Sequence, residues 1–280
     1  MLLKILNPPS KLWTEAAPRA EKNFHSLRGL LAGPSHNFKE VGLLDPPISV
    51  CKAELLNPDN AESVILDITT LPKKFFLFAI LRLVDSNAVK NLVVTYSRAQ
   101  QYTEQSLYEN ALPPAAIQGF LRERSGHPAQ RMIVGVGYTA LSVDELLDQG
   151  KTKRLDFIFP FPPGSPAFRR NWRLLSTLMS SDYQPKTTEI HRVQGMDAFE
   201  IYERARAWGG GYDLDMLPFG PKPHALGMAM ACMRLDGCAQ LIYSQPQAYR
   251  FDYSQGIARD QKGFPQIYAY CLKKDGKETF

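Results

Sequence analysis

From position 48 onward the chain alternates short apolar runs with amphipathic stretches. The runs at 63–68, 92–96, 132–136, 155–159, 188–193, 212–216 and 240–243 are rich in Val, Ile, Leu and Phe. Several are apolar throughout, as strands covered on both faces are. Helical spacing separates them, most plainly over 75–84 and 224–234. Helix starts are signalled by Ser142, three residues before Glu145, and by Asp197 ahead of Ala198-Phe199-Glu200. This rhythm predicts an α/β fold: a doubly wound, mostly parallel Rossmann-like sheet with right-handed crossovers, one domain over 47–272. Residues 1–46 are punctuated by Asn7-Pro8-Pro9, Ala32-Gly33-Pro34 and Asp45-Pro46-Pro47, which predicts an irregular N-terminal arm with helical character only near 18–31. Residues 273–280 read as a frayed tail. The stretch 100–130 breaks the alternation and carries Tyr102, Tyr108, Pro113-Pro114, Arg122 and Arg124, with Arg131 just beyond it. A long departure of this kind predicts an active loop or lid.

One segment is written twice. Leu66-Asp67-Ile68-Thr69-Thr70-Leu71-Pro72-Lys73 and Leu214-Asp215-Met216-Leu217-Pro218-Phe219-Gly220-Pro221-Lys222 both read as a buried strand, a turn and a lysine at a helix start. Each helix is followed by a strand ending in Tyr-Ser, at Tyr96-Ser97 and Tyr243-Ser244. A helix start offers unpaired backbone N–H groups, and a lysine beside it adds charge, so each copy is a candidate anion cradle. In the first, Asp67, Thr69, Thr70 and Lys73 are the candidate ligand-binding residues; in the second, Asp215, Gly220, Lys222 and His224. Tyr96, Tyr243 and Ser244 join them at the sheet edge, where rings can stack on a base. The plainer reading of the same residues is two helix starts stiffened by prolines, with solvated lysines and core tyrosines. If the cradle reading is right, Lys222→Ala weakens anion binding with little loss of stability.

Composition narrows the partners. The 280 residues are 44% apolar and 22% charged, an ordinary globular balance, with a formal net charge of +5. That charge tilts toward an anionic small molecule or nucleotide, but the basic residues are dispersed, so nucleic acid is not favoured. Cys51, Cys232, Cys238 and Cys271 are far apart and read as reduced thiols of a cytoplasmic protein. No apolar run approaches a membrane span.

Catalytic signatures are few. His25, His36, His127, His191 and His224 show no metal-ligand spacing, so no metal centre is expected. There is neither a Walker A spacing nor a G-x-S-x-G elbow. The strand-end carboxylates Asp67, Asp213 and Asp215, with Asp144 and Glu145, leave open a nucleotide-cleaving or nucleotide-transferring enzyme. No cofactor is specified.

Gly220-Pro221-Lys222 followed by Ala225-Leu226-Gly227-Met228-Ala229 resembles the strand–turn–helix stretch of the CARF family, Rossmann-like nucleotide sensors of bacterial antiviral defence systems. Pro221 stands where that family has Thr, and the likeness covers about fifteen residues. It implies a homodimer with a nucleotide at its interface, Lys222 and Gly220 near phosphate, and a sensor or adaptor role beside a protein partner. Three readings therefore stand: a nucleotide- or phospholigand-binding module, an enzyme acting on a nucleotide, and a protein-interaction subunit with no ligand.

Overall fold

The computed structural model describes residues 2–30, 38–51, 61–103, 108–122, 131–137, 154–161, 172, 176, 187–209, 213–235, 237–250 and 252–280. The Ser142–Glu145 helix start, Asp144, His36, His127 and Arg124 lie outside them. The chain opens with β1 (Leu2–Leu6), α1 (Lys11–Leu30), β2 (Phe38–Gly42) and a short α2 (Ile48–Cys51). This corrects the expectation of an irregular arm. Pro8-Pro9 ends β1 rather than preventing it, Ser10 Oγ accepts the Trp13 N–H at 3.0 Å to start α1, and β1 pairs in parallel with β2.

The first doubled unit is β3 (Ser63–Asp67), α3 (Lys73–Asp85) and β4 (Asn91–Ser97); the second is β11 (Leu214–Leu217), α5 (Lys222–Arg234) and β12 (Ala239–Tyr243). Between them run β5 (Ala99–Tyr102), β6 (Tyr108–Ala111), β7 (Ala115–Ala116), β8 (Arg131–Gly135), β9 (Arg154–Phe161), β10 (Thr187–Gln194) and α4 (Ala198–Gly209). After the second unit come β13 (Pro246–Tyr249), β14 (Ser254–Ile257), β15 (Ile267–Lys274) and β16 (Lys277–Glu278). The architecture among the described residues is mixed α/β. Five strands of a six-stranded sheet, β10-β9-β8-β11-β12, run parallel, and β7 closes it antiparallel. A second sheet, β16-β15-β4-β3, is parallel only between β3 and β4.

The antiparallel strands arise from an exchange. The excursion after β4 ends in β7, which lies against β12 of the second unit. The excursion after β12 ends in β15, which lies against β4 of the first. Midway, β5 pairs with β14 and β6 with β13. Every pairing in one direction has its counterpart in the other, so the units are related by an approximate two-fold. The described part of the stretch read as a lid at 100–130 thus contributes three short strands, β5, β6 and β7, paired with β14, β13 and β12 in turn.

The tail is also ordered. Asp275 (φ 49°) and Gly276 (φ 78°) occupy the left-handed region that a two-residue hairpin turn requires, which lets β16 fold back on β15. Phe280 then packs edge-on to Tyr202 at 5.6 Å, and Arg234 holds Glu278 at 2.7 Å.

One core cluster spans both units. Phe75, Phe76, Leu77 and Ile80 of α3 are fully buried and join Leu226, Met228 and Met230 of α5. Burying each such side chain contributes about 1.5–3 kcal/mol. α5 packs on both α3 and α4. At Gly227 a Cβ would stand 2.2 Å from the Ala198 carbonyl oxygen, so the α4–α5 approach requires glycine. A second cluster, including Met132, Val134, Phe157 and Leu217, covers the opposite face of the six-stranded sheet.

Candidate functional site

The two units correspond closely at their helices. α3 and α5 are each thirteen residues, each begins with lysine, and each is preceded by an extended proline, Pro72 (φ −56°, ψ 146°) and Pro221 (φ −55°, ψ 154°). Neither proline can cap with its side chain; in α3 the Phe75 N–H bonds the Pro72 carbonyl at 3.1 Å, and in α5 Pro223 has no N–H to offer. Pairing register fixes the correspondence of the strands. Leu66 lies opposite Val94, and Met216 opposite Leu241, in each case two residues before the tyrosine at the carboxyl end of the neighbouring strand. Leu66 therefore matches Met216, and Asp67 matches Leu217 rather than Asp215.

The two turns grip each other. Lys73 Nζ donates to the carbonyls of Pro218 (2.5 Å) and Gly220 (2.6 Å), and Lys222 Nζ donates to those of Ile68 (2.9 Å) and Thr69 (2.6 Å). Burial pushes Lys73 down to about 7, with the neighbouring Lys222 ammonium adding to the effect. Burial also pushes Lys222 down to about 7, against the attraction of the Asp67 carboxylate. Asp67 Oδ1 accepts the N–H (2.8 Å) and the hydroxyl (2.5 Å) of Thr69, whose Oγ1 in turn accepts the Ser97 N–H at 2.9 Å. Lys73 stands 5.6 Å above the Tyr243 ring, and the Tyr243 hydroxyl meets that of Tyr249 at 3.1 Å. Asp67, Thr69, Lys73, Gly220, Lys222 and Tyr243 thus form one junction. Tyr96 occupies the corresponding end of β4, buried and opposite Tyr268.

No family model and no curated protein matches the chain. Among solved structures, a functionally unknown protein from Pseudomonas aeruginosa is similar at 10% identity and a TM-score of 0.25, over 88% of this chain and 92% of that one. That likeness is too distant to bear on fold or function.

The remaining expected site residues serve elsewhere. Asp215 is buried and bound to Arg122 Nη1 (3.0 Å) and Gln240 Nε2 (2.7 Å); burial raises its pKa, and Arg122 opposes that. Ser244 donates to the Leu112 carbonyl at 3.0 Å, fastening the exchanged excursion. His224 is fully buried; Nε2 faces the Gln194 carbonyl at 3.0 Å and so carries the proton, while Nδ1 has no hydrogen-bond partner among the described residues. Burial pushes His224 down to about 4. Thr70 is exposed.

Sequence reasoning missed the backing of this junction. Gly135 and Gly137, at the end of β8, lie directly against the second turn: a Cβ on Gly137 would fall 1.7 Å from the Phe219 oxygen, and one on Gly220 would fall 3.2 Å from the Val136 oxygen. Gly-Val-Gly directly after an apolar strand was the available signal.

Chemically, the junction gathers two amino groups and two uncapped helix N-termini against one carboxylate, Asp67. Four backbone carbonyls accept from the two amines, and burial brings both down to about 7, so an arriving anion can change their protonation.

Proposed function

We propose that the chain is a phospholigand-binding module, of the nucleotide class, built as two Rossmann-like halves whose strand ends meet at the Lys73–Lys222 junction. The observation that carries this reading is the reciprocal lysine exchange, which brings two uncapped helix starts and two amines to one place. Thr69, Gly220 and Tyr243 border it. In a doubly wound sheet, ligands bind beyond the carboxyl ends of the strands, where this junction lies. The approximate two-fold within one chain supplies both sides of an interface for which the CARF resemblance implies two copies, so ligand binding on this reading needs no homodimer. A sensor or adaptor role in a cytoplasmic defence system follows from that resemblance alone.

The reading of an interaction subunit without a ligand is favoured by one observation, that both lysine amino groups already hold two carbonyls. Melting in the presence of nucleotides separates the two. A ligand at one hundred times its Kd stabilises by about 2.7 kcal/mol. Such a shift with at least one nucleotide supports the module, and no shift across mono-, di- and cyclic nucleotides overturns it. Turnover of the same nucleotide would instead identify an enzyme.

A further inference from the structure

At the amino-terminal end of the six-stranded sheet, opposite the lysine junction, three parallel strands collect five charged side chains. Arg131 opens β8, Arg154 and Asp156 lie at the start of β9, and Glu189 and His191 lie in β10. Asp156 sits opposite Glu189, and Arg154 opposite both Arg131 and Thr187, so the strand period turns alternate side chains toward one another. The Asp156 carboxylate is fully buried. Its Oδ2 accepts from Arg131 Nε at 2.7 Å, with Arg154 Nε 3.5 Å away, and Glu189 Oε1 is held by Arg154 Nη2 at 2.8 Å. The other oxygen of each carboxylate faces His191 Nε2: Asp156 Oδ1 at 2.8 Å and Glu189 Oε2 at 3.6 Å.

We propose that Asp156 Oδ1, Glu189 Oε2 and His191 Nε2 bind a divalent first-row metal ion. The three atoms lie within 4.8 Å of one another. Metal–ligand bonds of about 2.0–2.2 Å set neighbouring ligand atoms about 3.0–3.5 Å apart. The observed 2.8 and 3.6 Å bracket that spacing. Both carboxylates are already oriented through their outer oxygens by arginines, the arrangement that holds metal-binding carboxylates in place. Trp208, 4.4 Å from the His191 ring and 4.8 Å from the Arg131 guanidinium, fixes both planes.

Arg131 supplies an independent sign. It is only 5% exposed, and its Nη2 is buried with no hydrogen-bond partner among the described residues. Nη2 shares an edge of the guanidinium with Nε, so it points toward the Asp156 side, and a buried N–H left there demands an acceptor. An oxygen completing the metal's coordination provides one. Two carboxylates balance two arginines, so the ion's own charge calls for an anionic oxygen donor in that open position: hydroxide, carboxylate or phosphate. Two oxygens and one imidazole suit Zn²⁺, Mn²⁺ or Fe²⁺. The histidine spacing concealed this set because Asp156 and His191 are 35 residues apart on adjacent strands.

The test is calorimetric titration of the full chain, stripped with chelator and dialysed, with Zn²⁺, repeated with Co²⁺ read by visible absorbance. One ion per chain is expected. Glu189→Gln and His191→Ala should each weaken binding more than tenfold, and Arg154→Gln, which touches only the outer oxygens, about tenfold. His25→Ala, at an exposed histidine on α1, should leave binding unchanged. Circular dichroism establishes that each variant is folded, and Asp156 is left intact because its loss strands Arg131. No saturable binding by the parent chain, or affinity unchanged in both Glu189→Gln and His191→Ala, overturns the proposal.

Discussion

Lys73 and Lys222 each reach across the approximate two-fold to the other's turn, and each amino group is held by two backbone carbonyls there. A charged amine can leave water only if its protons are accepted elsewhere, and these carbonyls do that. The arrangement fastens one half of the chain to the other, and burial keeps both amines easily deprotonated, with the Lys222 charge adding to the effect at Lys73.

Replacing either lysine therefore acts on stability first. The sequence alone predicts little loss for Lys222→Ala; the structure revises this to about 1–3 kcal/mol, because two carbonyls lose their donor. Lys73→Met should cost a similar amount. Denaturant unfolding measures both, and losses below the resolution of that method would contradict the clasp.

Stability should depend on pH with a definite sign. Both lysines titrate at about 7 when folded, against 10.5 for the ordinary side chain. Between those values the unfolded chain holds more protons, so stability rises with pH from about 7 upward. Lys74, lowered to about 8 by burial, adds to the same slope. His224 acts in the same sense at lower pH: it is near 4 folded and 6.5 otherwise, so stability falls as pH drops from 6.5 toward 4. The melting temperature should climb from pH 7 to about 9 and climb less in Lys73→Met/Lys222→Met. An equal slope in that variant removes the lysines as its cause.

Arg122 is the buried partner of Asp215. Arg122→Met should cost about 3–5 kcal/mol at neutral pH, by leaving a buried carboxylate without its cation. The penalty should shrink in acid, because the pKa of Asp215 is already raised by burial and a protonated carboxyl needs no partner. Chemical unfolding at pH 7 and near pH 5 compares the two; equal penalties would contradict the pairing.

Gly227→Ala tests the helix crossing. In an isolated helix the change gains about 1 kcal/mol. Here the added carbon would meet the Ala198 oxygen at 2.2 Å, so a loss of about 1–3 kcal/mol is expected. Stabilisation in thermal unfolding would show that α4 and α5 do not approach as described.

What could be read from the sequence was local. Apolar runs located seven strands, and the matching Pro-Lys helix starts exposed the duplication, because both signals lie within a dozen residues. The exchange of β7 and β15 was not legible: Ala115-Ala116 carries no strand pattern, and its partner Tyr243 is far along the chain. Asp67 and Asp215 both follow a leucine, which aligns them in sequence, yet pairing register separates them by two residues. The order of the tail has a local sign in the Asp275-Gly276 pair, a hairpin-turn dipeptide that the reading of a frayed terminus did not use. The charged set around Asp156 needed three strands in register before its members could meet.

The central claim is that the Lys73–Lys222 junction holds a phosphorylated ligand. Its most direct test is mass spectrometry of the small molecules released on denaturing the natively purified full chain, beside folded Lys73→Met/Lys222→Met. A phosphorylated compound near one per chain in the parent, and depleted in the variant, is the predicted result. Equal amounts from both, or none from the parent, would contradict it.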